Sequence, residues 1–159
     1  MDALAAITAL AAIGTSLMAG VFFAFSTFVL SGLGRLPPAQ GTSAMQAVNV
    51  AAVRPPFMAL FLGAALACLA AAVWGFRAWP APGSGLAMAG AALYLAGGFG
   101  VTAVFNVPLN DRLAAVAAGS PEGDLLWARY QVSWTAWNHL RTVACTLAAV
   151  LLALGYAAR

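Results

Sequence analysis

The sequence predicts an all-α integral membrane protein, a four-transmembrane-helix bundle with short interfacial helices in two long connections on the same side of the bilayer. Three observations carry that prediction. Only 7% of the 159 residues are charged, 64% are hydrophobic, and the mean hydropathy is +0.92. An ordinary soluble domain carries about a quarter charged residues, and this composition could not clothe a soluble surface. Four stretches stay apolar for the roughly 20 residues that a helix needs to cross about 30 Å of hydrocarbon while satisfying its own backbone. A single tight connection, rich in proline and glycine, joins two of them. The chain reads as one transmembrane domain over residues 1–159.

The first stretch runs from Leu4 to Leu30. It lacks a positive n-region, and the uncharged run from Ala3 to Gly34 is far longer than the apolar part of a signal peptide, so a retained spanning helix is expected. The second stretch, Pro56 to Phe76, and the third, Leu86 to Phe105, are separated by Pro80, Pro82, Gly83 and Gly85, which make them antiparallel neighbours. The fourth runs from Val132 to Tyr156. The long connections, Ser31 to Pro55 and Asn106 to Gln131, then share one side. Pro37 and Pro38 suit the first turn of a helix over Ala39 to Val53, and Pro108 suits one over Leu109 to Ala118, which Gly119, Ser120 and Pro121 end. Along the second span Ala59, Gly63, Ala67, Ala71 and Gly75 recur every four residues. Small side chains so placed let another helix approach closely; an alanine-rich composition alone can give the same pattern. A thin bundle with such a ridge is also compatible with a homo-oligomer.

The basic residues are seven scattered arginines, so no cluster is present that would neutralise phosphates and no nucleic-acid partner is expected. Arg35, Arg54, Arg112 and Arg129 lie on the side of the long connections, against Arg77, Arg159 and the amino terminus on the other, a count that favours long connections facing the cytoplasm. Cys68 and Cys145 fall in apolar runs without metal-ligand spacing and read as small core residues.

Polar groups inside a span are costly, which directs attention to the fourth helix. At about 100° per residue, Gln131, Trp134, Thr135, Asn138, Thr142 and Cys145 share one face, with His139 and Arg141 on its flanks. Arg141 can snorkel, line a wet cavity or pair with an acid, for which Asp111 is the best placed, while Glu122 and Asp124 read as solvated loop residues. Asn106 and Asn110, four apart at the end of the third span, either cap helix ends or offer amide donors to the same half-membrane cavity. His139, the only histidine, is either a structural imidazole or a general base, since imidazole titrates near neutral pH. One histidine and two distant cysteines cannot fill a transition-metal shell, so no metal is expected. Phe22, Phe23, Phe25 and Phe28 either face lipid or wall a pocket for a flat aromatic ligand.

Several of these residues belong to a longer series. Phe23-Ala24-Phe25-Ser26, Leu36-Pro37-Pro38-Ala39-Gln40-Gly41, Ala44-Met45-Gln46 with Asn49, Pro55-Pro56-Phe57-Met58, Phe105-Asn106-Val107-Pro108-Leu109-Asn110, and Trp134-Thr135 with Trp137-Asn138-His139-Leu140-Arg141-Thr142 together resemble the anthrone oxygenase-like membrane family. The resemblance implies a small four-helix membrane protein related to enzymes that oxidise anthrones to anthraquinones with molecular oxygen, without a metal or flavin cofactor. It also implies the bacterial cytoplasmic membrane. The partners so implied are the lipid bilayer, oxygen and a hydrophobic aromatic small molecule. An anthrone methylene is acidic, and its carbanion can itself hand an electron to oxygen. The protein must then supply a base, donors for the enolate oxygen and a dry aromatic pocket. On the polar stripe and the family likeness together, His139 is cast as base and Asn138, Asn106 and Arg141 as oxyanion donors. Trp134, Trp137 and Phe25 form walls, with Asn49 and Asn110 as further substrate contacts. Two other readings stay open: a non-catalytic protein that binds a lipophilic quinone, lipid or partner subunit in the same cavity, and a small transporter, against which the confinement of ionisable groups to one end speaks.

Overall fold

Five helices account for nearly all of the chain in a computed structural model that describes residues 3–158. Arg159 and the amino terminus, which entered the orientation count, lie outside the described residues. Four helices are long and apolar enough to span a membrane: α1, Ala3–Leu33; α3, Pro55–Arg77; α4, Ser84–Ala114; and α5, Pro121–Ala157. The fifth, α2, Pro38–Ala52, is the expected short helix of the first long connection, with proline in its first turn.

The second expected interfacial helix is instead the end of α4. That helix widens into π turns over Tyr94–Gly100 and Thr102–Asn106 and then continues through Pro108 to Ala114. Proline lacks the N–H that would reach back to the preceding turn, and a π segment is a place where a helix tolerates such a defect. The other difference is at α5, which begins at Pro121 rather than near Val132. The Ser120 Oγ accepts the Gly123 N–H at 3.0 Å, and Glu122 and Asp124, expected in a loop, occupy the first turn where the helix dipole favours them. At about 1.5 Å per residue, α5 is about 55 Å long and outruns the hydrocarbon layer.

The spans close into a ring in the order α5, α1, α3, α4, and α2 lies across one end of it against α5 and the end of α4. Small residues bring α4 onto α5. A Cβ at Gly90 would lie 2.9 Å from the Ala148 carbonyl oxygen, and one at Gly97 would lie 2.3 Å from the Ala144 Cβ. At Gly83, where φ is +78°, it would lie 2.2 Å from the Gly155 carbonyl oxygen. The ridge expected on α3 is buried only at one end. Ala71 and Gly75 are buried, whereas Ala59 is exposed and a Cβ at Gly63 would meet nothing within 4 Å. A four-residue repeat advances about 40° per step around a 3.6-residue helix, so the ridge winds from the outer face into the core.

Two apolar cores result. One lies between the spans and includes Ala11, Met18, Phe22, Phe61, Ala64, Cys68, Tyr94 and Cys145; the other joins Met45 of α2 to Leu30, Leu113, Trp127, Tyr130 and Trp134. Outside the ring, Leu10, Phe28, Leu66, Val104 and Val132 are each more than 60% exposed. So extensive an apolar surface belongs in lipid, and the chain is an integral membrane protein.

Candidate functional site

The buried face of α5 carries Tyr130, Trp134, Asn138, Arg141 and Cys145, the spacing of one side of a helix. Asn138 is fully buried and engages both ends of its amide. Its Nδ2 donates to the Phe22 carbonyl and to the Ser26 Oγ, both at 2.7 Å, and its Oδ1 accepts from Arg141 Nη2 at 2.7 Å. Phe22 lies three residues before the stretch where α1 widens into a π turn, Phe25–Val29, and a side chain inserted at a widened ladder is a recurrent way of satisfying the backbone there. Ser26 and Thr142 share a further hydrogen bond of 2.9 Å. This network fixes α1 against α5 and aims the arginine.

Arg141 is 4% exposed. Its Nη1 donates to Thr102 Oγ1 at 3.1 Å, and its guanidinium lies 4.3 Å from the Phe22 ring centre and 4.9 Å from that of Trp134. Its Nε has no hydrogen-bond partner. Of the three options open to Arg141, pairing with Asp111 is not the one taken: none of its described partners is a carboxylate. Aromatic faces offset part of the charge, but an arginine away from water with no counter-ion keeps an unmet demand for an anion.

Thr102, Asn106 and Asn110 continue the polar lining along α4. The Asn106 Nδ2 donates to the Trp134 carbonyl at 3.3 Å while its buried Oδ1 has no partner. Asn110 Oδ1 accepts from the Tyr130 hydroxyl at 2.8 Å and from Trp134 Nε1 at 2.9 Å. No described hydrogen bond uses its Nδ2, and the buried Asn49 Nδ2 on α2, which lies near the Tyr130 hydroxyl, makes no hydrogen bond of full geometry among the described residues.

These groups surround a cavity of about 460 Å³ whose wall is mostly apolar, with Phe22, Phe25, Phe57, Phe61 and Trp134 among its aromatic members and Asn49, Thr102, Asn110 and Arg141 as its polar ones. That volume is of the size that takes a small polycyclic ligand. The wall extends to Val53 and Val107, which are 70% and 42% exposed. The chamber therefore opens sideways where α2 meets α3 and α4. A second cavity of about 400 Å³, lined by Gln46, Asn49, Asn110 and Asp111 among others, shares Asn49, Val53, Val107 and Asn110 with the first. Gln46 is held there by donating to the Leu113 and Val116 carbonyls at 2.8 and 3.0 Å.

The structure thus brings Arg141, Trp134, Phe25, Asn49 and Asn110 to one chamber wall. Asn138 and Asn106 are buried behind it and position what lines it. Two of the expected site residues lie elsewhere. His139 is exposed, because one step along a helix turns it about 100° away from Asn138 and two steps turn it farther still from Arg141. Trp137 stacks on Phe105 with ring centres 3.7 Å apart, away from the chamber wall. Phe23 and Phe28 are exposed as well. Sequence reasoning did not single out Thr102, Tyr130, Phe57 or Phe61. Phe57 lies within the Pro-Pro-Phe-Met motif, and Phe61 follows it by one helical turn and stacks near it at 6.1 Å, a signal that periodicity could have carried.

A ring of membrane helices around an aromatic chamber, with one buried cation and amide groups lacking a full set of partners among the described residues, defines an integral membrane protein with an internal cavity. The anthrone oxygenase family model matches residues 50–151, from the last turn of α2 through most of α5, and the chain belongs to that family. Comparison with curated proteins and with solved structures gave no match.

Proposed function

We propose that the chain oxidises an anthrone-like aromatic compound with molecular oxygen inside the chamber, in a reaction driven by ionisation of the substrate. The observation that carries this reading is Arg141: a buried guanidinium on the wall of an aromatic cavity, with no carboxylate among its described partners. Guanidinium keeps its proton at neutral pH, so a ligand that becomes anionic in place is stabilised there more than the neutral ligand is.

The substrate, in its ketone or phenol form, lies among Phe25, Phe57, Phe61 and Trp134 with its oxygen toward Arg141. Asn49 and Asn110 have amide N–H groups available for the same oxygen. Its proton passes to water through the connected outer cavity. The resulting anion transfers one electron to oxygen; the carbon radical and superoxide combine at the former methylene carbon, and a proton completes a hydroperoxide. Loss of water from that hydroperoxide leaves the second carbonyl, so one substrate and one oxygen molecule give one quinone and one water. The apolar wall favours both oxygen and a planar ligand, and it keeps water from screening the arginine.

Oxygen uptake and quinone absorbance, followed with an anthrone and the protein in nanodiscs, test this reading. Arg141→Gln is expected to lower turnover about 100-fold, the effect of removing one preorganised oxyanion donor, with Arg141→Lys intermediate. Wild-type turnover by Arg141→Gln would overturn it, and stoichiometric binding without turnover by the unmodified protein would return the chamber to a non-catalytic role.

A further inference from the structure

The chamber and the outer cavity carry opposite charges. Arg141 is the one charged residue on the chamber wall and Asp111 the one charged residue on the outer wall, among the described residues. Between them stand the shared residues Asn49, Val53, Val107 and Asn110, so a ligand longer than the chamber reaches the outer cavity past two amides and two valines. None of the described hydrogen bonds or ion pairs engages the Asp111 carboxylate, and the Gln46 amide nitrogen beside it is already committed to the Leu113 and Val116 carbonyls. The outer wall therefore adds acceptors, the exposed Asp111 carboxylate and the Gln46 Oε1, to the Asn49 and Asn110 amides that it shares with the inner wall.

We propose that the two cavities form one elongated site and that Asp111 is its specificity-determining residue. The preferred ligand is a polycyclic aromatic ketone that carries hydroxyl groups at the end remote from the reacting oxygen. The same ring system with a carboxylate at that end is rejected. A hydroxyl donates to the carboxylate of Asp111, whereas a second carboxylate meets like charge with no cation on that wall to offset it. The identity of the ring system rests on the oxygenase reading; the polarity of the site does not.

Anaerobic equilibrium binding to the protein in zwitterionic nanodiscs, corrected against empty nanodiscs, separates the two. The probes are 2-hydroxymethylanthraquinone and anthraquinone-2-carboxylate, neither of which needs turnover to be detected. Because the carboxylate probe can also reverse and seat on Arg141, the reading is taken from the change in the affinity ratio when Asp111 is substituted, not from its starting value. Asp111→Asn should shift the affinity ratio toward the carboxylate by about fivefold, the effect of removing one unit charge at hydrated close range. Asp111→Glu should keep the original ratio, and added salt should compress it in the unmodified protein. An unchanged ratio in Asp111→Asn, or a ratio lost equally in Asp111→Glu, overturns the assignment of Asp111 while leaving the oxygenase reading intact. A shifted ratio in a protein that shows no oxygen uptake upholds the assignment and removes the oxygenase reading. Failure of the unmodified protein to bind either probe overturns both.

Discussion

Toward the α3–α4 turn the helices meet through glycine and alanine, with Gly83, Gly90 and Gly97 set against Gly155, Ala148 and Ala144. Toward α2 the same helices are held apart by Phe22, Phe25, Phe61 and Trp134, and they are cross-linked by Asn138, Arg141 and Thr102. The first region is close-packed and holds no polar network. The second contains all three π segments or their ends and the chamber. In lipid there is little hydrophobic force to press helices together, so association must come from close packing or from interhelical hydrogen bonds. This bundle uses the former to close one end and the latter to keep the other end ordered while open.

If that division is correct, the largest structural effect should come from the centre of the polar half. Asn138→Ala leaves the Phe22 carbonyl and Arg141 Nη2 without their partner, and each unmet buried group costs about 1–3 kcal/mol. Thermal unfolding in detergent should show the loss, and turnover should fall about tenfold or more because the guanidinium is no longer aimed. An Asn138→Ala protein as stable and as active as the parent would remove the positioning role. In the closed half, Gly90→Val should destabilise by about 1–3 kcal/mol, since the new side chain meets the Ala148 carbonyl and Leu152. The matched control is Gly63→Ala, which meets open space and should leave the melting temperature nearly unchanged. Equal effects from these two variants would mean that α4 at Gly90 is as loosely packed as the outer face of α3 at Gly63, and the comparison would fail.

The lateral opening gives a smaller effect. Val107→Trp narrows the rim that Val107 and Val53 form and should raise KM for an anthrone severalfold, with kcat changed less, because access is impeded before chemistry begins. A change confined to kcat would place Val107 against the reacting atoms instead of at an entrance.

The four spans and the first interfacial helix were legible because hydrocarbon thickness imposes length and composition so strongly. The continuation of α4 through Pro108 was not, since proline usually ends a helix and only the π turns over Thr102–Asn106 let it proceed. π turns have no sequence signature, and they also displaced the phase of α1 beyond Phe25. The polar face of α5 was readable from residue spacing, as were Asn138 and Arg141. Asn49 reached the site through family likeness and Asn110 also through its four-residue spacing from Asn106, about one helical turn, while Thr102, Phe57 and Phe61 required tertiary contacts between helices that periodicity does not order. Asp111 was legible as an acid on the right side of the membrane. Its place on the outer cavity, away from Arg141, was not.

The smallest expected effect is at His139. Its ring is exposed on the outer face of α5, about 160° around the helix axis from Arg141 at about 100° per residue. A base must reach the proton that it abstracts, directly or through one water, and the wall of α1, α4 and α5 stands between this imidazole and the chamber. On the mechanism proposed above, substrate acidity is set by Arg141, whose charge would act on the ligand without a proton transfer to a side chain. His139→Ala should therefore retain turnover within about twofold, and its pH–rate profile should superimpose on that of the parent. Loss of an ionisation near the imidazole range in that profile, together with a fall in kcat of the size that general bases contribute, about 100-fold, would show that the helix rotates during the reaction and would return the imidazole to the site.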